Sequence, residues 1–227
     1  MNRGLELALV VPVLVPAALA VGVAALAVKL TSRGPVFYTQ RRVGLHQRPL
    51  CVRKLRTMYV GADRLGAHVT ASGDARVTRV GRILRATKLD ELPQLFSVAL
   101  GDMSLVGPRP EVERYVASYR PAWKRVFEVR PGITDLASIA FRSEEELLAL
   151  ASDKERAYVQ AVLPAKLEVA LEGVDRSSTW HDLAVLFKTV AVVLAPGRVP
   201  EHPAVARARN AISNLNRETC AQRTNAS

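Results

Sequence analysis

Residues 5–28 read LELALVVPVLVPAALAVGVAALAV, and this stretch decides how the rest of the chain is arranged. Glu6 is its only charged residue. In a helix these residues would extend about 36 Å, which is enough to cross the hydrocarbon core of a bilayer. A secretory signal peptide fits less well, because the run is too long and Lys29 and Arg33 stand where cleavage would occur. The pattern therefore predicts a membrane helix.

Two prolines and the flanking charges bear on the path of this helix. Pro12 and Pro16 each remove a backbone donor and favour a kink. Basic residues stand on both sides of the run, at Arg3, Lys29, Arg33, Arg41 and Arg42. This arrangement suits a re-entrant helix, which enters the membrane, bends at proline and leaves on the same face. A single-pass helix is the alternative, since the basic excess lies on the C-terminal side; in both cases we expect the remaining chain to be cytoplasmic.

The chain is strongly basic, with a net charge of +11 and a pI near 10.2. Such a charge indicates an anionic partner, which could be nucleic acid, anionic lipid or a phosphorylated substrate. At 227 residues there is room for one globular domain and an accessory segment. Cys51 and Cys220 form no CxxC pair, which argues against a zinc site, and we expect two reduced thiols rather than one long-range disulfide.

After the membrane helix, the sequence predicts a mainly helical α+β domain with a short β-hairpin. Residues 36–40 and 50–55 have the pattern of two strands, and Gly44 allows the chain to return between them. Residues 57–73 are expected to be a loop with some helix. Helical patterns begin at Thr78 and cover 111–128 with a break at Pro121, 143–151, 154–171 and 180–194.

The chain is accordingly divided into three parts. Residues 1–33 are the membrane helix and its junction, and residues 34–197 are the cytoplasmic domain. Pro196-Gly197 is expected to end the ordered body. Residues 198–227 are polar and basic without periodicity, which predicts a mobile tail.

A row of basic residues accompanies the helix that begins at Thr78. Its members recur every third position, at Arg76, Arg79, Arg82, Arg85 and Lys88. Such rows are usually solvated helix faces. Because no acidic residue stands four positions later, the row is equally well interpreted as a comb for phosphates or lipid headgroups.

Asp90-Glu91 is the first candidate for catalysis. A carboxylate can attack phosphorus when a cation neutralises the phosphate, and a second carboxylate can bind that metal or orient its neighbour. The turn at 107–110 (GPRP) lies within twenty residues, and Arg109 could grip phosphate oxygens there. An isolated Asp-Glu pair is more often a plain surface feature, so this context carries the prediction.

Other catalytic arrangements are missing from the sequence. It contains no Gly-x-Ser-x-Gly elbow, P-loop or dinucleotide-binding fingerprint. The four histidines are scattered, at His46, His68, His181 and His202. No hydrolase triad is therefore predicted.

Five motifs together resemble the bacterial sugar transferase family of monotopic phosphoglycosyl transferases, which prime the assembly of exopolysaccharide, O-antigen, capsule or glycoprotein glycans. The resemblance covers about residues 3–194. The motifs are KLTS with GPVF at 29–37, KLRTM at 54–58, TKLDELPQL at 87–95, GDMSLVGPRP at 101–110 and RPGIT at 130–134.

The resemblance implies a re-entrant membrane helix that breaks at Pro16 or Pro12 and carries a compact, interfacial catalytic domain. It further implies that Asp90 attacks the sugar-bearing phosphate of a UDP-sugar and releases UMP, while Glu91 acts with Mg²⁺. Polyprenyl phosphate of the undecaprenyl type would then take the sugar phosphate at the bacterial inner membrane. The phosphate- or nucleotide-contacting positions that it implies are Lys54, Arg56, Arg85, Pro108, Arg109 and Arg142.

The sequence departs from the family pattern at three places. Pro16 stands thirteen residues before Lys29, whereas members usually place this proline about ten residues before that lysine. Glu6 replaces the usual aspartate. After Thr134 many members continue Gly-x-Ala-Gln, whereas residues 135–138 here read DLAS.

A second hypothesis is a non-catalytic, membrane-anchored scaffold that binds anionic lipid. A nucleic-acid partner is not expected, since no recognition module is present. The sequence names neither the sugar nor the oligomeric state.

Overall fold

The computed structural model describes residues 1–62, 69–195 and 201–224. Its helices are α1 (Arg3–Thr31), α2 (Arg79–Thr87), α3 (Gln94–Leu100), α4 (Glu113–Val116), α5 (Leu136–Ala140), α6 (Glu144–Ala149), α7 (Lys154–Ala157), α8 (Leu163–Asp175), α9 (Thr179–Leu194) and α10 (Pro203–Thr224). Its strands are β1 (Phe37–Val43), β2 (Pro49–Leu55), β3 (Ser104–Val106) and β4 (Gly132–Thr134). The prediction of a mainly helical α+β fold is confirmed.

The first helix packs one face on the domain and leaves the other exposed. Asn2 caps it by accepting the Gly4 N–H at 2.8 Å. The buried apolar face has helical spacing and consists of Val10, Ala17, Val21, Ala24 and Val28. The exposed side is apolar as well and includes Leu9, Val13, Val15, Leu19, Val23, Leu26 and Leu30. Within the described residues, α1 is the one helix long and apolar enough to cross a membrane.

The helix is continuous through Pro12 and Pro16. Neither proline therefore ends or interrupts the helix, contrary to a break at these residues. Proline can bend a helix without ending it, because only one hydrogen bond of the ladder is removed. The re-entrant path stays a prediction.

Both ends of α1 are bonded to the same domain. At the N-terminal end, Arg3 donates to the Ala99 carbonyl at 3.0 Å, and Glu6 accepts the Leu105 N–H at 2.7 Å. At the C-terminal end, the Ser32 carbonyl accepts a hydrogen bond from Arg56 at 2.8 Å. The helix therefore runs along the domain from end to end.

The predicted hairpin is confirmed. β1 and β2 are antiparallel, with Phe37 opposite Leu55 and Val43 opposite Pro49. Leu55 is buried with Val28 of α1 and Leu84 of α2 in one apolar cluster. The hairpin is thereby fixed against the helices that flank the candidate site.

A second, parallel pair of strands was not predicted. β3 and β4 pair Ser104 with Gly132 and Val106 with Thr134. Their approach requires glycine, because a Cβ on Gly132 would lie 2.2 Å from the Gly107 nitrogen. Three-residue strands in segments rich in glycine and proline carry no detectable alternation, so the sequence does not reveal them.

The prediction of a mobile tail is wrong for residues 203–224, which form α10. Ala204, Ala208 and Ile212 recur every fourth residue and are buried in the main core cluster. The sequence shows this stripe only weakly, because two of its three residues are alanines that stand among arginines and asparagines. The predicted end of the ordered body at Pro196-Gly197 lies outside the described residues.

Candidate active site

Asp90 and Glu91 lie in a single 3-10 turn, Leu89–Glu91, between α2 and α3. Lys88 ends α2 in the left-handed region, with a φ of 59°, and so redirects the chain. Leu89 and Leu92 pack against the apolar cluster formed by α1, α2 and β2. Because both leucines are packed into this cluster, the backbone of the turn that carries the two carboxylates is held in place.

Two cations from different elements grip the Glu91 carboxylate. Arg109, from the loop after β3, donates through Nη2 to Oε1 at 2.5 Å and through Nη1 to Oε2 at 3.0 Å. Lys54, near the end of β2, donates to Oε1 at 2.9 Å. A bidentate arginine pair is both strong and geometrically specific. Glu91 therefore joins the hairpin and the loop after β3 at one point.

Burial and charge act in opposite directions on these groups. Burial alone would raise the pKa of Glu91, but the charges of Arg109 and Lys54 outweigh it and hold that pKa well below its usual range. Burial lowers the pKa of Lys54 to about 8, against the opposing effect of Glu91. The Glu91 charge raises the pKa of Arg109. The three groups are accordingly an ionised cluster at neutral pH.

Unlike Glu91, Asp90 has a carboxylate oxygen that accepts no hydrogen bond from the described residues. It is only 6% exposed, and its Oδ1 has no hydrogen-bond partner among the described residues. Burial, and next the Glu91 charge, raises the pKa of Asp90. A buried carboxylate with an unused oxygen is poorly solvated and suited to attack or to ligate a cation.

Arg85 brings further positive charge toward Asp90. Its Nη2 donates to Glu145 of α6 at 2.9 Å, while its buried Nη1 lacks a partner within the described part of the chain. The Gln94 side chain is also buried, and its Nε2 is likewise without a partner there. These donors are available to a bound anion.

The chain matches the bacterial sugar transferase family over residues 1–196. This match includes the carboxylate turn, the hairpin and the loop that carries Arg109. The chain belongs to that family.

Three proteins of known name are similar to this chain in sequence. The UDP-glucose:undecaprenyl-phosphate glucose-1-phosphate transferase of Caulobacter vibrioides is 39% identical over 175 residues, 75% of this chain and 61% of that protein. The UDP-N-acetylgalactosamine-undecaprenyl-phosphate N-acetylgalactosaminephosphotransferase of Aeromonas hydrophila is 34% identical over 199 residues, 85% of this chain and 43% of that protein. The Escherichia coli UDP-glucose:undecaprenyl-phosphate glucose-1-phosphate transferase is 38% identical over 170 residues, 73% and 34% respectively. The chain thus spans about a third to three fifths of their lengths.

The structure brings together some, but not all, of the residues that the family motifs suggested. Lys54 and Arg109 meet Glu91, and Pro108 places Arg109 by accepting the Gly132 N–H at 3.0 Å. Arg56 instead binds the Ser32 and Arg33 carbonyls at the end of α1. Arg142 donates to the Val192 carbonyl of α9 at 2.6 Å. Phosphate contacts by Arg56 and Arg142 stay predictions.

The row of basic residues is divided by the fold. Arg76 is bound to Asp74 and Arg85 to Glu145. Arg79, Arg82 and Lys88 are exposed. The interpretation as a phosphate or headgroup comb therefore stays a prediction; it concerns these three exposed residues and the Nη1 of Arg85, which is unpartnered among the described residues.

Proposed function

We propose that this protein transfers a sugar 1-phosphate from a UDP-sugar to polyprenyl phosphate, releases UMP and thereby starts the assembly of a bacterial glycoconjugate. One observation carries the proposal: a buried Asp90, whose Oδ1 has no hydrogen-bond partner among the described residues, stands beside Glu91, which Lys54 and Arg109 bind. The printed names of the relatives support the choice of undecaprenyl phosphate as acceptor and of UDP-linked sugars as donors.

The reaction is proposed to take two steps. An Asp90 oxygen attacks the phosphorus that bears the sugar, and the bond from that phosphorus to the UMP oxygen breaks, so UMP leaves with the electron pair. A phosphate oxygen of polyprenyl phosphate then attacks the same phosphorus and releases Asp90. Lys54 and Arg109 would neutralise the diphosphate as it approaches the carboxylates.

The donor atoms at the turn fit a Mg²⁺ ion that is shared with the substrate. No group of three potential metal ligands occurs among the described residues. Mg²⁺ needs only one or two protein carboxylates when phosphates supply other ligands. The unpartnered Asp90 oxygen is one, and Glu91 would supply the second by exchanging a contact with Lys54 or Arg109 for the metal. When bound, Mg²⁺ would neutralise phosphate charge. Asp90 and Glu91 are therefore the proposed metal-holding residues.

We propose further that the domain lies on the cytoplasmic face of the inner membrane. Both ends of α1 bind the same domain, which favours a re-entrant or in-plane helix over one that leaves the domain behind. A second apolar surface runs along α9, where Trp180, Phe187 and Leu194 share one face and are 73–82% exposed. Thr189 of α9 bonds Thr134, next to the Ile133 that packs near α1. α1 and α9 therefore both pack near β4, each through its buried side.

Trp180 offers a direct test of this membrane contact. The chain has two tryptophans, and the other, Trp123, is buried in the core. Vesicle phospholipids brominated on their acyl chains are expected to quench the fluorescence of the wild-type protein, because Trp180 enters the lipid interface. Trp180→Phe is the matched control and should lose this quenching. Equal quenching in both proteins would contradict the contact through α9.

The pKa values of the site predict a bell-shaped pH profile for UMP release. Activity is expected to fall at low pH as Asp90 takes up a proton, because its pKa is raised. It is expected to fall again around pH 8, where Lys54 loses its charge. Lys54→Arg should remove the alkaline limb, since arginine stays protonated. An unchanged alkaline limb in this variant would show that another group titrates there.

The proposed function is tested by measuring UMP release from a panel of UDP-sugars, with purified protein, Mg²⁺ and polyprenyl phosphate. Release with one sugar is expected and would identify the donor. Silence across the panel, together with binding to anionic vesicles, would overturn the proposal in favour of the non-catalytic scaffold.

A further inference from the structure

The face of the hairpin that carries Lys54 also carries two polar residues that no motif singled out, Gln40 and Arg42. In the strand register the relevant pairs are Tyr38 with Lys54, Gln40 with Val52 and Arg42 with Leu50. Paired residues of an antiparallel ladder share a face, and side chains alternate along each strand. β1 therefore directs Gln40 and Arg42 to the side of the hairpin on which Lys54 meets Glu91.

Arg42 connects the hairpin to the loop that bears Arg109. Its Nη1 donates to the Pro110 carbonyl at 2.5 Å, and its Nε donates to the Gln40 side-chain oxygen at 2.9 Å. The next residue, Val43, donates its N–H to the Glu111 carbonyl at 2.8 Å. The hairpin is thus bonded to the two residues that directly follow Arg109.

The other side of this loop is fixed by β4. The Gly107 N–H donates to the Thr134 carbonyl at 3.0 Å, and the Pro108 carbonyl accepts from Gly132 at 3.0 Å. Arg109 consequently stands between two anchored segments, one held by β4 and one by Arg42. Fixing the backbone on both sides limits the positions its guanidinium can reach, which is the way a binding group is preorganised.

Arginine is the side chain suited to this connection. Its planar fork can donate to Gln40 and to the Pro110 carbonyl at the same time, whereas a lysine presents a single compact ammonium group. Arg42 also lies near the charges of Glu111 and Arg109. It therefore adds positive charge beside Lys54 and Arg109 while its hydrogen bonds go to neutral acceptors.

We propose that Arg42, oriented by Gln40, is a positioning residue that fixes Arg109 for the diphosphate of the donor substrate. The inference rests on the proposed function. Arg42 acts through the Pro110 carbonyl and not on the reacting atoms.

A double-mutant cycle tests this role. Arg42→Met is expected to lower kcat/KM for the UDP-sugar by roughly 10- to 100-fold, because misplacing a binding group costs this much. Arg41→Met is the matched control, since Arg41 is adjacent, exposed and on the opposite face of β1; its effect should stay within about two-fold. Added to Arg109→Met, the Arg42 change should cost less than about two-fold more, because the two residues act as one unit.

The outcomes separate this inference from the proposed function. An active wild type with additive losses for Arg42→Met and Arg109→Met would overturn the positioning role and leave the function intact. A wild-type protein that releases no UMP from any UDP-sugar of the panel would overturn the proposed function. Hydrogen exchange at the Val43, Gly107 and Gly132 amides, whose bonds hold this loop, still tests the inference. Faster exchange in Arg42→Met than in Arg41→Met supports positioning, and equal exchange overturns it.

Discussion

Replacing Asp90 by asparagine is expected to abolish UMP release, by at least about 10³-fold, because the amide cannot form the proposed acyl phosphate. The substitution conserves size, and the Oδ1 it alters has no protein partner to lose among the described residues. The protein should therefore remain folded and bound to membranes. Asp102→Asn is the control, since Asp102 is an exposed carboxylate nearby on the chain.

Intact-protein mass spectrometry sharpens this test. Wild-type protein incubated with the donor in the absence of polyprenyl phosphate is expected to gain the mass of one sugar phosphate, and adding polyprenyl phosphate should remove it. Asp90→Asn should show no such gain. An adduct that survives in this variant, or substantial residual turnover, would assign the nucleophile to another residue.

Replacing Glu91 by glutamine is expected to have the largest effect on stability. It leaves Lys54 and Arg109 close together without their shared counter-charge. Removing one partner of a buried ion pair costs about 3–5 kcal/mol, which for a chain of this size lowers the thermal midpoint by roughly 10 °C. UMP release should fall as well, since both cations lose their fixed positions. The measurement is thermal unfolding in matched detergent, beside the activity assay.

Glu168→Gln provides the comparison for this change. Glu168 of α8 pairs with Arg207 of α10 at 3.3 Å, and both side chains are more than half exposed. Such a surface pair contributes at most about 1 kcal/mol, so the midpoint should barely move. If Glu91→Gln proved as stable as Glu168→Gln, the turn would not depend on its charge cluster.

Strong local periodicity explains which parts of the fold were predictable. The apolar run of α1, the strands of the hairpin and the largely apolar α9 all carry patterns longer than one helical turn or four strand residues. β3 and β4 have three residues each and are stabilised by a close contact between two glycines that are far apart in sequence. α10 is defined by what it packs against. The strand pair leaves no local pattern in the sequence, and the stripe of α10 is weak because two of its three members are alanines.

The candidate site shows the same division. Asp90, Glu91, Lys54 and Arg109 stand in motifs, so the resemblance implies a role for each at one substrate site. That Lys54 and Arg109 bind the Glu91 carboxylate itself is seen only in the structure. In the sequence Arg42 is one of several basic residues beyond the membrane run. Its link to the Arg109 loop depends on strand register and on a backbone carbonyl 68 residues away. For Arg56 the motif implies a contact with phosphate, whereas in the structure its guanidinium binds the backbone at the end of α1.

The burial of one side of α1 has a consequence for how this protein can be prepared. Val21, Ala24 and Val28 share an apolar cluster with Leu55 and Leu84, and the turn that carries Asp90 rests on that cluster. A shortened protein that lacks the first thirty residues would gain solubility in water but lose part of its own interior. Purification must therefore keep the N-terminal helix and provide detergent or nanodiscs for its exposed apolar face.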